Sequence, residues 1–241
     1  MELPPIAANL ASIVITGPMR PVLVSPAWLR EIDLIGDSEL KEANFELLIP
    51  GEATTFQAGW LRVLANPQAL EVQTTQEVEF ERLRDVMLGI LRARTDASIA
   101  QMGINRIVQI KLADRHLWHA VGDHLVNNDL WDGVLHLPGM RSVTYWGTRS
   151  DGYGGRVQVQ VEPFFQFQAG VAVAYNDHYD LSKVERIPTG RTDEASSRAE
   201  DTEATIEKVT VAAEILTDNW TESMNLFNTA LERIFLQVGQ A

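Results

Sequence analysis

Four of the five histidines fall between positions 116 and 136, and this clustering is the strongest chemical hint in the sequence. His116 and His119 are three residues apart and share a face if the segment is helical, with Asp123 one turn beyond His119. Two imidazoles and a carboxylate are donors that a zinc-like ion accepts. The spacing matches neither the HExxH helix nor a C2H2 finger. His124 lies five residues past His119 and points elsewhere, so the expectation is that His116, His119 and His124 bind no metal.

Asn176-Asp177-His178-Tyr179-Asp180 is the second candidate. Five hydrogen-bonding residues at the expected end of a strand suit a ligand or a partner. His178 beside Asp177 or Asp180 is a possible general base, but no nucleophile is identifiable near it. The plainer reading is a turn built by Asn and Asp, with Tyr179 packed and its hydroxyl outward.

Gly152-Tyr153-Gly154-Gly155 is not read as a phosphate loop, because a strand rather than a helix N-terminus follows it. No Walker lysine, GxSxG elbow or kinase signature occurs. Six tryptophans are many for this length. Trp131 sits in a polar stretch, either as an anchor for a partner or as a plug onto the core. Trp220 and Phe227, on the C-terminal helix, are the expected anchors of an interface.

The elements that would position these residues can be read from periodicity. Ala11–Thr16 reads as a strand closed by Gly17-Pro18. Ser25-Pro26 opens a helix, with Ser as N-cap and Pro at the first helical position. Three strands are expected next. They run over Asn44–Ile49, through Phe56, Trp60 and Val63 to Asn66-Pro67, and over Leu70–Gln73. The helix from Glu77 to Arg94 carries Phe80, Leu83, Met87, Ile90 and Leu91 as an apolar stripe. Its early Glu77, Glu79 and Glu81 suit a helix N-terminus.

The same order then recurs. Ile104–Leu112 reads as a strand, and Asp114 caps a helix reaching about Val126. Met140–Gly147, Val157–Glu162 and Gly170–Asn176 follow as strands. Val157-Gln158-Val159-Gln160-Val161-Glu162 alternates with period two, which predicts a sheet with one dry and one wet face. Residues 182–202 are polar and aperiodic, and read as a mobile loop. From Glu203 to Val238 there is neither Gly nor Pro, and the pattern predicts one long helix.

The chain has 241 residues, no cysteine and a net charge of −13, and both halves are acidic. The absence of thiols rules out disulfides and zinc–thiolate or iron–sulfur sites, and suits a reducing cytoplasm. Acidity disfavours nucleic acid as a partner. No segment is apolar for the length of a membrane span, and the N-terminus has no basic stretch resembling a signal peptide.

Met102-Gly103-Ile104-Asn105-Arg106-Ile107 resembles the mid-chain strand of a sporadically distributed, functionally uncharacterised bacterial protein family of similar length. Asn219-Trp220, leading to Leu226-Phe227 and Ile234-Phe235, is similar to that family's closing helix. The resemblance covers most of the chain in element order and implies no activity, so no functional residue transfers. The repeated order also looks like the half-repeat of the TATA-binding-protein fold. That fold needs a basic concave sheet, where this chain has Gln158, Gln160 and Glu162.

The expectation is an α+β protein of two similar β-α-β-β-β-α units, residues 1–97 and 98–241, with helices covering one face of antiparallel meanders. The leading functional reading is a non-enzymatic binding or assembly protein, associating with itself or with a protein partner and needing no cofactor. The alternative is a small hydrolase or ligand-sensing protein, using the cluster from His116 to His124 and the segment from Asn176 to Asp180.

Overall fold

The computed structural model describes residues 3–94, 98–182 and 207–235. The chain is mixed α+β. Among the described residues nine strands form one antiparallel sheet: β1 (Ile6–Thr16), β2 (Asn44–Ile49), β3 (Ala53–Ala58), β4 (Leu61–Asn66), β5 (Ala69–Thr74), β6 (Gln101–Lys111), β7 (Val143–Thr148), β8 (Gly154–Pro163) and β9 (Gly170–Asp180). Their spatial order is β2-β3-β4-β5-β1-β6-β9-β8-β7. The sheet is therefore continuous across the expected boundary near residue 97. Its centre is the long β1–β6 pairing, with Ala11 opposite Arg106 and Ser12 opposite Asn105.

Helices cover one face. They are α1 (Pro26–Glu31), α2 (Asp37–Lys41), α3 (Phe80–Ala93), α4 (Arg115–Leu125), α5 (helical over 207–218) and α6 (Trp220–Phe235). None is long and apolar enough to cross a membrane among the described residues. Two caps form as expected: Ser25 accepts from the Trp28 N–H at 3.2 Å, and Asp114 accepts from the Leu117 N–H at 2.9 Å.

Alternation decides which side chains meet the helices. On β8, Val157, Val159 and Val161 share the helix-covered face with Tyr175 and Val173 of β9, and Gln158, Gln160 and Glu162 take the open face. One core cluster gathers Ile13, Phe56, Ile104 and Tyr179 of the sheet with Leu83 and Met87 of α3, residues of α1 and α5, and Trp220 at the start of α6. The other gathers Val108, Val173, Tyr175, Phe227 and Leu231 under α4 and α6.

The structure corrects several expected boundaries. The first half has four strands after its helices, where three were expected. Gly59, at φ +58°, turns the chain between β3 and β4, and the Gln57 side chain closes the turn on the Gly59 carbonyl at 2.6 Å. Trp60 folds back from that turn into the core, which is why Phe56, Trp60 and Val63 imitate one strand. The single C-terminal helix is interrupted at Asn219, between α5 and α6, while the Asn219 N–H still donates to the Ile215 carbonyl at 2.8 Å and the Ser223 N–H to the Asn219 carbonyl at 2.9 Å. The Asn219 amide donates to Asp151 Oδ2 at 3.1 Å and to the Tyr179 hydroxyl at 3.2 Å; residues up to Trp220 and Met224 pack on the first core, and Phe227 onward on the second. The expected mobile loop over 182–202 lies, past Ser182, outside the described residues.

Candidate functional site

The segment from Asn176 to Asp180 is not a turn at a strand end. It is the last part of β9, paired with β6 on one side and β8 on the other. Alternation along a strand sends its side chains to opposite faces. Asn176 and His178 lie on the open face; Asp177 and Tyr179 lie on the helix-covered face. His178 therefore cannot use Asp177 as an orienting carboxylate. Its registered neighbours on the open face are Gly103 and Arg156, neither of them a nucleophile. Burial depresses the His178 pKa, with Arg156 adding to the effect, and its Nδ1 is buried without a hydrogen-bond partner. Asn176 instead donates through Nδ2 to Asn105 Oδ1, and Asn105 donates to Ser12 Oγ at 3.3 Å, a polar thread over the sheet centre.

On the helix-covered face, Asp177 is 2% exposed and forms an ion pair with Arg149, which leaves the end of β7. Arg149 also donates through Nε to Asp151 Oδ1 at 3.1 Å and pairs with Oδ2 of the same carboxylate. Its guanidinium carbon lies 3.5 Å from the centroid of the Tyr179 ring. Tyr179 donates to Asp177 Oδ2 at 3.3 Å, and Asn219 links Tyr179 to Asp151. The result is a closed ring, Arg149–Asp177–Tyr179–Asn219–Asp151, which ties the β7–β8 loop, β9 and the junction of α5 and α6 together.

The electrostatics follow from this geometry. Burial opposes the charge of Arg149, but the carboxylates outweigh it and raise its pKa. Burial also works against the Asp151 carboxylate, and Arg149 overcomes it, holding that pKa below the usual range. Burial raises the Tyr179 hydroxyl. A cavity of about 250 Å³ opens beside the ring, lined also by Glu222, Ser223 and Leu226. Arg149 is already neutralised by two carboxylates, and Asp177 accepts from two donors, so neither is free to act on a substrate. The arrangement is a structural clasp between the two cores. Sequence reasoning missed it because Arg149 and Asp177 meet only through the β7–β8–β9 register.

The histidines of α4 do not converge. His116, His119 and His124 are exposed, and Asp123 accepts from Asn128 Nδ2 at 2.6 Å. Among the described residues no group of three His, Asp or Glu side chains is placed to hold a metal ion.

Trp220 and Phe227 are fully buried within the chain's own cores. Trp220 donates through Nε1 to Glu81 Oε1 at 3.0 Å, and Phe227 packs edge-on to Tyr175 at 5.8 Å between ring centroids. Neither side chain is available to a second chain in this conformation. The helical line serves both cores in turn, Ile215, Leu216 and Trp220 the first and Phe227, Leu231 and Ile234 the second, while Leu226 stays exposed.

Trp131 is placed differently. It ends a 3-10 turn over Asp129–Trp131 and is 49% exposed, so it does not plug the core. Around it in sequence, Leu130, Val134, Leu135 and Leu137 are exposed, Leu137 to 84%. Tyr145 and Trp146 on β7 are exposed as well, Trp146 to 67%, with Arg156 stacked 4.4 Å over its ring. The Tyr145 hydroxyl donates to the Leu125 carbonyl at 2.9 Å, which joins β7 to the end of α4 where the Leu130–Leu137 stretch begins. A cluster of apolar side chains without helical or strand period, bounded by Pro138-Gly139, was the available signal for this surface.

No protein-family model and no curated protein matches the chain.

Proposed function

We propose that the protein is a non-enzymatic binding and assembly protein of the cytoplasm that associates with itself. The observation carrying this reading is the exposed apolar stretch Leu130, Trp131, Val134, Leu135 and Leu137, which precedes in the chain the exposed Tyr145 and Trp146 of β7. Apolar groups concentrated in one region of a surface mark sites of association, and a tryptophan is a frequent anchor there. The net charge of −13 disfavours phosphate binding, and the open sheet face mixes Arg156 with Gln158, Gln160 and Glu162, which favours protein over nucleic acid as the partner. The resemblance to an uncharacterised bacterial family adds no activity to this reading.

The chain also reads as a duplication of one unit. The sheet order supports this: β5, β4, β3 and β2 follow β1 outward on one side, and β9, β8 and β7 follow β6 on the other. Superposition of the two halves tests it, with β1 equivalent to β6 and α3 equivalent to the C-terminal helices.

Light scattering on the purified chain tests the assembly reading. The wild type is expected to have at least twice the mass of the 26.9 kDa chain. Trp131→Ser combined with Leu135→Ser is expected to shift the population to monomer without loss of secondary structure. A wild type that is monomeric at high micromolar concentration overturns self-association.

A further inference from the structure

The sheet has two edges, β2 and β7, and they differ in how they are protected. Exposed edges offer unpaired backbone groups to other chains, and proteins block them with charges, prolines and bulges. β2 carries such devices. Its register with β3 slips between Phe45 and Leu47, and Glu46 at the slip is held by Arg62 at 2.6 Å.

β7 carries none of them. Val143-Thr144-Tyr145-Trp146-Gly147-Thr148 contains no charge and no proline, and it pairs with β8 without a break from Val143–Val161 to Thr148–Arg156. Its residues are largely β-branched or aromatic, the types that favour strands. Among the described residues no strand pairs with its outer side.

We infer that two copies of the chain pair through β7, antiparallel about a two-fold axis, so that the sheet of one copy continues into the other. This rests on the self-association proposed above and names the surface that performs it. A second copy is the occupant that symmetry favours, because an antiparallel strand is complementary to itself and the resulting interface closes.

Register is constrained further. An axis perpendicular to the sheet keeps each face on its own side. Tyr145 lies on the helix-covered face and Trp146 on the open face, so neither can stand opposite the other across the axis. The axis passes through Tyr145, setting Thr144 against the second copy's Trp146, or through Trp146, setting Tyr145 against the second copy's Gly147. Five or six paired residues are too few for a stable dimer, which needs about 800 Å² from each partner. The two-fold also places both helix layers on one side of the joined sheet. On that side the Tyr145 hydroxyl ties β7 to Leu125 at the end of α4, and the exposed Leu130–Leu137 stretch that follows in the chain supplies the further apolar area the pairing requires.

The absence of native cysteines makes a direct test possible. Directly opposed residues in an antiparallel pair have Cα atoms about 4.5–5.5 Å apart, within disulfide reach. Single variants Tyr145→Cys, Trp146→Cys and Leu48→Cys are oxidised, and covalent dimer is read on a non-reducing gel. A dimer at position 145 or 146, and none at 48 on β2, is the expected result. Thr144→Lys with Trp146→Lys is expected to weaken the dimer on the order of tenfold or more in light scattering, with circular dichroism confirming the fold. A dimeric wild type that cross-links at neither β7 position, or that cross-links at 48, overturns the β7 pairing and leaves self-association standing. A monomeric wild type overturns both.

Discussion

Arg149 sits over Tyr179, with the guanidinium carbon 3.5 Å from the ring centroid, while its nitrogens hold Asp177 and Asp151. Tyr179 belongs to the first core cluster, and Tyr175, two residues earlier on the same strand, belongs to the second. The clasp thus stands where the two cores meet, tied through Asn219 to the junction of α5 and α6. A charge so buried stabilises a fold only when it stays paired, and this fixes what its removal should do.

Arg149→Met is expected to cost about 3–5 kcal/mol, because Asp177 remains buried with only the Tyr179 hydroxyl as donor. The double variant Arg149→Met with Asp177→Leu should recover most of that loss, since an apolar pair of similar volume leaves no unpaired charge. Urea denaturation of the three proteins reads the difference. Equal losses in the single and double variants would show that the pair does not act as a unit.

How much of this was legible in the chain depends on whether local chemistry or distant register set each feature. The dry and wet faces of β8 follow from valine–glutamine alternation alone, and the caps at Ser25 and Asp114 need only a few neighbouring residues. The stripe Phe80, Leu83, Met87, Ile90 and Leu91 is buried as its spacing implies. The clasp joins residues 28 positions apart through two strand pairings, and no local pattern encodes that meeting. Asn219 is an ordinary helix residue until Asp151 and Tyr179 bind its amide. Trp220 and Phe227 show the same limit: their apolar spread is real, but two successive cores of the same sheet, which no local pattern reveals, bury them inside the chain.

Arg106 makes a second junction. It donates through Nε to Asn9 Oδ1 at 3.1 Å and through Nη1 to Asn228 Oδ1 at 2.8 Å, and it lies 4.7 Å over the Phe227 ring. Burial lowers its pKa, with Glu77 opposing. Arg106→Ala should therefore loosen α6 from β1 and β6 and cost about 2–4 kcal/mol through lost packing and unpaired amides. Hydrogen exchange should show the loss of protection concentrated in Trp220–Phe235. Uniform loss over the whole sheet would argue against a local tie.

The pH dependence of stability should show two separate limbs. His178 is held neutral by burial, so its folded pKa lies below the ordinary value of about 6.5. The unfolded chain then binds the extra proton first. Stability is complete above about pH 6.5 and declines as pH falls through the folded pKa. Glu39 forms the acid limb. The Ser38 hydroxyl first, then backbone and Arg82 donors, bring its pKa down to about 2. Its contribution is present above the ordinary carboxylate range and lost as pH falls toward 2. His178→Gln should flatten the first limb and leave the second, as read from denaturant midpoints at pH 7.5, 5.5 and 3.5. A slope unchanged by that variant would place the titrating group elsewhere.

Gly155 gives the sharpest local test of the β8–β9 register on which the clasp depends. It has φ +117°, and a Cβ built on it would stand 2.1 Å from the His178 carbonyl oxygen. Both facts act against any L side chain: the conformation is strained, and the contact is with backbone that cannot turn aside. Gly155→Ala must therefore push β8 away from β9 at Tyr179 or twist the loop that carries Asp151. Either movement lengthens the Arg149–Asp177–Asp151 contacts. The expected outcome is a loss of about 2 kcal/mol or more in denaturation, together with faster exchange of the amides near Tyr179 and Asn219. The control is Gly152→Ala in the same loop, which also has positive φ, +83°, but meets nothing within 4 Å. It should cost only the backbone strain, about 1 kcal/mol, and leave the amides near Tyr179 protected. If the two variants lose stability equally, the added Cβ is accommodated at no cost beyond backbone strain, and the close approach of Gly155 to the His178 carbonyl does not constrain the β8–β9 register.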